Sequence, residues 1–185
     1  MRHVFIFLAF VCLPALAENN LLVALSDKAK NIESFKGSFV QHRQITILPL
    51  PLISTGEFSY DHQTGMIWNT LDPVQSKVQI TSQGIHTDQA GASSHMAGSA
   101  QLAKTLLGIF SGNLDALADQ FTIQVDGDVT QWHLHLTPKH ELVASQISAI
   151  DIRGKDTTES VAIADANGDH TDLTFTTQQL VLFEN

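Results

Sequence analysis

The stretch Gly56-Glu57-Phe58-Ser59-Tyr60-Asp61-His62-Gln63-Thr64-Gly65-Met66-Ile67-Trp68-Asn69-Thr70 decides the fold class. Phe58 and Tyr60 lie two residues apart and so share one side of a strand. After the polar turn at 61–65, Met66 and Trp68 repeat that spacing, so the two runs read as antiparallel neighbours. Asp72-Pro73 turns the chain again, and Val74, Ser76, Val78 and Ile80 alternate behind it. Ser82-Gln83-Gly84 ends that strand and Ile85 opens a short one. Upstream, 39–48 alternates loosely until Pro49-Leu50-Pro51 interrupts it. Sequential strands joined by short turns make a meander.

Outside this block the period changes. Asn19-Asn20 can cap a first helix carrying Leu21, Leu22, Leu25, Ala29 and Ile32 at helical spacing. This helix is expected to stop near Ser34, because Gly37 follows and the period falls to two. In the middle, 90–100 is rich in Gly, Ala and Ser and reads as a mobile loop. The run 101–110 then reads as a helix with Leu102, Leu106, Ile109 and Phe110 on one side and Leu107 toward another. Gly112 breaks it, and 114–117 adds a turn. A helix apolar over more than half its circumference needs apolar neighbours on two sides.

Strands resume with Phe121, Ile123 and Val125, then with Trp132, Leu134 and Leu136 alternating against His133, His135 and Thr137. Two more follow at 145–153 and 160–165. The last of these meets 171–177 across Asn167-Gly168, a type I′ hairpin signal, and 180–183 is expected as a final edge strand. The expectation is one domain, α+β but mainly β, with about ten strands and two helices.

Composition narrows the function classes. The chain has 185 residues, 43% hydrophobic and 16% charged, with a formal charge of -9. That charge repels phosphate backbones and anionic lipid surfaces, which argues against nucleic-acid partners and polybasic docking. Met1-Arg2-His3, the apolar run 4–13 and Pro14-Ala15-Leu16-Ala17 read as a secretory signal peptide cleaved before Glu18. An apolar membrane anchor needs about 20 residues. The single cysteine, Cys12, lies inside the apolar run. A lipobox wants a small residue before its Cys, and Val11 stands there. The exported chain 18–185 is then free of cysteine, without disulfides or thiol chemistry.

Catalytic signatures are not found in the sequence. Gly108-Ile109-Phe110-Ser111-Gly112 has the wrong spacing for a nucleophile elbow, and helix termination accounts for Gly112. His133 and His135 point to one side of a strand and could begin a zinc or copper site. The alternative is a plain polar face opposite Trp132, Leu134 and Leu136. Asp165-Ala166-Asn167-Gly168-Asp169 resembles the start of a calcium loop, but His170 replaces the required glycine and Thr176 the closing Glu. The remaining signal is apolar residues along a sheet plus an apolar helix behind a loop. That describes either an ordinary core or a lidded cavity.

Ile32-Glu33-Ser34-Phe35-Lys36-Gly37-Ser38-Phe39-Val40-Gln41 resembles the entry of periplasmic lipoprotein carriers of the LolA family, where an N-terminal helix runs into a strand ending in Phe-x-Gln. Ile67-Trp68, Asp72-Pro73 and the segment 78–84 follow in the family's order. The loop and helix at 90–110, Leu136-Thr137-Pro138-Lys139, and Asp165-Ala166-Asn167-Gly168 with Thr171 and Phe175 agree as well. The resemblance implies a strongly curved antiparallel sheet, an incomplete barrel, with a helical lid over an apolar cavity. It implies a carrier without catalysis or cofactor, taking acylated lipoproteins from an inner-membrane exporter to an outer-membrane acceptor. At about 0.8 kcal/mol per CH₂, an acyl chain of about 16 carbons resists crossing water by on the order of 12 kcal/mol.

The family's Arg-Pro pair, whose Arg latches the lid, has no counterpart here; that region reads Asp61-His62-Gln63-Thr64-Gly65. LolA-like proteins without the latch are associated with glycolipid or pigment-like cargo. Strand parity and helix face assign the expected cavity and lid to Phe39, Phe58, Met66, Trp68, Val78, Leu102, Leu106, Ile109 and Phe110. The expected protein is a periplasmic monomer with no metal. The alternative is an envelope interaction module docking a partner along a sheet edge.

Overall fold

The computed structural model describes residues 15–81, 84–87 and 107–184. Helix α1 (Ala15–Lys30) leads into β1 (Ile32–Gln44), β2 (Leu52–Asp61), β3 (Gly65–Asp72), β4 (Ser76–Thr81) and β5 (Gly84–Thr87). A helical segment at 107–110, here α2, precedes α3 (Leu114–Gln120). The chain continues through β6 (Phe121–Asp128), β7 (Gln131–Pro138), α4 (Glu141–Ala144), β8 (Ile147–Gly154), β9 (Thr158–Asp165) and β10 (His170–Leu182).

All ten strands form one open antiparallel sheet in the order β5-β4-β3-β2-β1-β10-β9-β8-β7-β6. Two five-strand meanders are joined where β1 pairs with β10. The inward residues follow the period-two pattern, so Phe35 faces Tyr60, Tyr60 faces Met66, and Met66 faces Ile80. The same face continues through Phe39 opposite Phe175, Leu173 opposite Val161, and Ile152 opposite Leu134.

The sheet is curved, and one distance demonstrates it. Trp68 on β3 and Phe175 on β10 are three strand spacings apart, about 14 Å on a flat sheet. Their ring centroids lie 6.0 Å apart. Two glycines at register shifts permit the bend. A Cβ on Gly37 would fall 2.1 Å from the Thr176 carbonyl oxygen, and one on Gly56 would fall 2.1 Å from that of Asn69. Both lie where the ladder slips, between Lys36 and Gly37 and between Thr55 and Gly56, as bulges do where strands bend.

Several boundaries depart from the expectation. Helix α1 begins at Ala15, which puts Asn19 and Asn20 inside it rather than at its cap, and it ends at Lys30. Ile32 belongs to β1. A bulge between Ile32 and Ser34 turns both Ile32 and Phe35 inward, a three-residue spacing that imitates a helix. The segment at 180–183 is no edge strand; 180–182 continues β10 in the sheet's centre, where Leu180 pairs with Phe35. The β9–β10 turn is not type I′, which requires two positive φ angles. Only Gly168 is positive there, at φ 89°, and the Gly168 N–H donates to the Asp165 carbonyl at 3.1 Å. The short helix α4 went unread, having no periodic pattern of its own.

Candidate functional site

The concave face divides by chemistry. On β10, β1, β2 and β3 it is aromatic: Phe175, Phe35, Phe39, Phe58, Tyr60 and Trp68. On β7, β8 and β9 it is aliphatic, with Leu134, Leu136, Ile150, Ile152 and Val161 fully buried. Phe39 stacks on Trp68 at 3.9 Å, and Phe58 meets Phe175 edge-on at 5.3 Å. Burial, then the neighbouring Asp61 carboxylate, pushes the Tyr60 hydroxyl up in pKa, so it stays protonated at neutral pH.

Phe110 enters this face from α2. Its ring lies 4.9 Å from Phe35, 5.9 Å from Phe175, 6.1 Å from Phe58 and 6.3 Å from Tyr60. It is therefore the hub of the aromatic half, although it belongs to no strand. Gly112, at φ 66°, ends the segment, and Ser26 Oγ of α1 donates to its carbonyl at 2.7 Å. The same end of α1 is also fastened to the sheet, where Lys28 Nζ donates to the carbonyls of Val129 and Lys155 at 2.9 and 3.0 Å.

Between α1, α2 and the sheet lies a cavity of about 40 Å³, bordered by Leu25, Ile32, Phe35, Ile109, Phe110 and Trp132. A water molecule takes up about 30 Å³ in the liquid, and ligand pockets run to about 300–1,000 Å³. Among the described residues this space is far smaller than such a pocket, and the side chains around it pack against one another. A larger hollow of about 370 Å³ lies on the opposite face, against Lys36, Glu57, Asn69 and Lys77. Its lining is mixed, with Phe58 and Ile67 beside the charged Lys36, Glu57 and Lys77.

Of the expected cavity residues, Phe39, Phe58, Met66, Ile109 and Phe110 are buried on the concave side, and Trp68 and Val78 are half-buried against them. Leu102 and Leu106 lie outside the described residues. Phe35, Tyr60 and Phe175 were missing from that set. All three carried a signal: Tyr60 and Phe175 are two residues from Phe58 and Leu173, and Phe35 has the parity of Phe39, four residues on. The region 61–65, where the family's latch has no counterpart, forms a tight turn: Asp61 Oδ1 accepts from the Gln63 and Thr64 N–H groups at 3.0 and 2.8 Å.

His133 and His135 lie on the outer face and share Asp151, at 2.6 and 3.1 Å from its Oδ1. Among the described residues no group of three or more His, Cys, Asp or Glu is arranged to hold a metal ion. Burial pushes the Asp151 carboxyl up, but the hydrogen bonds with His135 and His133 outweigh it and leave the pKa lowered. Backbone hydrogen bonds from Thr64 and Thr46 lower Asp61 and Asp169, and Thr130 lowers Asp128 through its hydroxyl and N–H. Asp165 is raised by burial.

A lowered carboxyl adds stability above its unfolded value near 3.9, and loses it as pH falls through the folded value. A raised one acts in the opposite sense. With four lowered against one raised, the melting temperature should fall as pH drops from about 5 to below 3. Asp151→Asn should flatten that slope. Thermal melts across this range check both, and a flat wild-type profile would contradict the assignment.

An open, curved antiparallel sheet with helices laid over an aromatic interior is a lipoprotein-carrier-like fold. The chain belongs to the family of outer membrane lipoprotein carrier proteins of the LolA-like kind, which matches residues 19–172. Among solved structures it is similar to MucB, with 16% identity over 92% of this chain and a TM-score of 0.52. The chain spans 60% of the length of that protein, and at such identity the likeness concerns the fold alone. A LolA superfamily protein from Nitrosomonas europaea is also similar, at 11% identity over 89% of this chain and 94% of its own, with a TM-score of 0.46. So is the MucA/MucB complex of Pseudomonas aeruginosa, at 13% identity over 86% and 56%, also with a TM-score of 0.46. No curated protein sequence is significantly similar to the chain.

Proposed function

We propose that this protein is a periplasmic, non-catalytic carrier that shelters the acyl chains of a lipoprotein, or of a related lipid, between the sheet and its helices. It is exported, cleaved after Ala17, and works as the single monomeric domain 18–185. It receives cargo from an inner-membrane exporter and passes it toward an outer-membrane acceptor. Phe39, Phe58, Met66, Trp68 and Val78 form the cavity wall, and Leu102, Leu106, Ile109 and Phe110 form the lid.

The observation that carries this reading is Phe110, a hub of four aromatic neighbours supplied by a helical segment rather than by the sheet. Withdrawing that segment would vacate the middle of the concave face without breaking any strand pairing. A cavity that closes on itself also suits release, because apolar side chains regain their contacts when cargo leaves.

Displacement of a hydrophobic fluorophore from residues 18–185 tests the reading. The titrants are a triacylated lipopeptide and, separately, a simple glycolipid. The expected result is saturable one-to-one binding displaced by at least one of them, and the stronger competitor identifies the cargo class. A folded protein without saturable binding would overturn the carrier and favour the interaction module.

A further inference from the structure

The exposed apolar side chains are not spread evenly. Strand directions put the β1–β2 connection, the β3–β4 turn, the β7–β8 connection with α4, and the β9–β10 turn at one end of the sheet. That end carries Ile47 at 88% exposure, Leu142 at 83%, Leu50 at 73% and Val74 at 69%, with Leu52 and Ile53 half exposed beside them. The β1–β2 tip, Ile45-Thr46-Ile47-Leu48-Pro49-Leu50-Pro51-Leu52, holds eight residues without a charge.

Part of the backbone of this tip is paired within the chain. Pro49 and Pro51 have no N–H to satisfy. The Leu48 N–H donates to the Ile45 carbonyl at 2.9 Å. Gln44 Nε2 reaches over the tip and donates to the Ile45 and Leu48 carbonyls at 3.3 and 3.1 Å. Thr46 donates through its N–H and its hydroxyl to Asp169 Oδ1 at 2.9 and 3.2 Å. Asp169 is buried in the neighbouring turn, so the tip is braced rather than loose.

We propose that this end of the sheet enters the interfacial region of a lipid bilayer, with the tip at 45–52 leading. Scattered apolar points supplied by separate connections suit a flat fluid surface better than the groove of one protein. Within the tip the Thr46 and Leu48 N–H groups and the Ile45 and Leu48 carbonyls are paired inside the chain, and the two prolines have no N–H, which lowers the cost of meeting hydrocarbon. Asp72 and Glu141 stand at the same end as Arg43 and Lys139, all exposed, so the attraction is apolar rather than electrostatic. The inference goes beyond the carrier reading and does not rest on it.

The test places a tryptophan at Leu50 in the full chain, and in a second variant at Val129, which lies at the opposite end. Each is titrated with vesicles of phosphatidylcholine and phosphatidylethanolamine, with and without brominated acyl chains, and the wild-type emission is subtracted. L50W should shift to the blue and be quenched by bromine, V129W should do neither, and added salt should change nothing. Adding Ile47→Glu to L50W should weaken the effect by on the order of tenfold. No shift of L50W at saturating lipid, or equal quenching of both tryptophans, would overturn the proposal. The first result would point to a protein partner for this end, and the second to attachment through another part of the chain. Fluorophore displacement without vesicles reads cargo binding separately, so the two proposals fail independently.

Discussion

Phe110→Ala is expected to lower the free energy of unfolding by about 3–5 kcal/mol, the usual cost of deleting a packed phenylalanine ring, and at the same time to raise affinity for apolar ligands. The first effect follows from the ring's place among Phe35, Phe58, Tyr60 and Phe175, with only 3% of it exposed. The second separates a displaceable plug from an ordinary core residue. An emptied space lined by apolar rings stays dry and accepts apolar guests, and cargo no longer has to expel the ring. Urea denaturation and fluorophore titration on the same preparation give both numbers. An affinity gain of about tenfold corresponds to about 1.4 kcal/mol, well within what removal of the ring makes available. Lost stability with no gain in binding would assign Phe110 to the core and leave the lid without its central residue.

Gly56→Val should be more damaging still, costing about 4 kcal/mol or more, which is exceptional for one substitution. Total stabilities are about 5–15 kcal/mol, so little soluble protein is expected. The added Cβ would meet the Asn69 backbone oxygen at 2.1 Å and the Phe39 ring at 2.7 Å. Turning a side chain cannot relieve the first contact, because it is with backbone. Relieving the second drives Phe39 off Trp68, its stacking partner at 3.9 Å. Glu57→Val, one residue on and exposed on the outer face, controls for composition and strand propensity and should stay within about 0.5 kcal/mol of wild type. Soluble yield and denaturation midpoints decide, and a G56V protein with wild-type stability would mean that the bulge is not needed.

The inward residues of β2, β3 and β4 were legible because turn chemistry and period two act locally. Phe58, Met66, Trp68 and Val78 follow from the spacing around the turn at 61–65. What escaped notice was set by partners far away in sequence. Ile32 points inward beside Phe35 only because β1 bulges where it meets β10, and 180–182 is central only because β1 lies beside it. Nothing near Asp151 announces that it bridges two histidines on another strand. The apolar girth of the segment before Gly112 was plain in the sequence, while the four rings surrounding Phe110 come from β1, β2 and β10. The exposed tip at 45–52 was visible as an interruption, but its bracing by Gln44 and Asp169 needed the fold.

The pairing of β1 with β10 has a kinetic meaning. These two thirteen-residue strands lie at opposite ends of the described chain, yet they form the seam between the two meanders. Long-range pairing of this kind must meet the entropy of loop closure before its contacts repay it, which slows folding. A chain emerging from its N-terminus can assemble the first meander early, but β1 then waits with one edge bare until the final strand arrives. The aromatic interior stays incomplete for the same interval, since Phe175 comes in with that strand. Commitment to the native state is thus deferred until β10 has been made, and what forms before then is a half-sheet whose seam is still open.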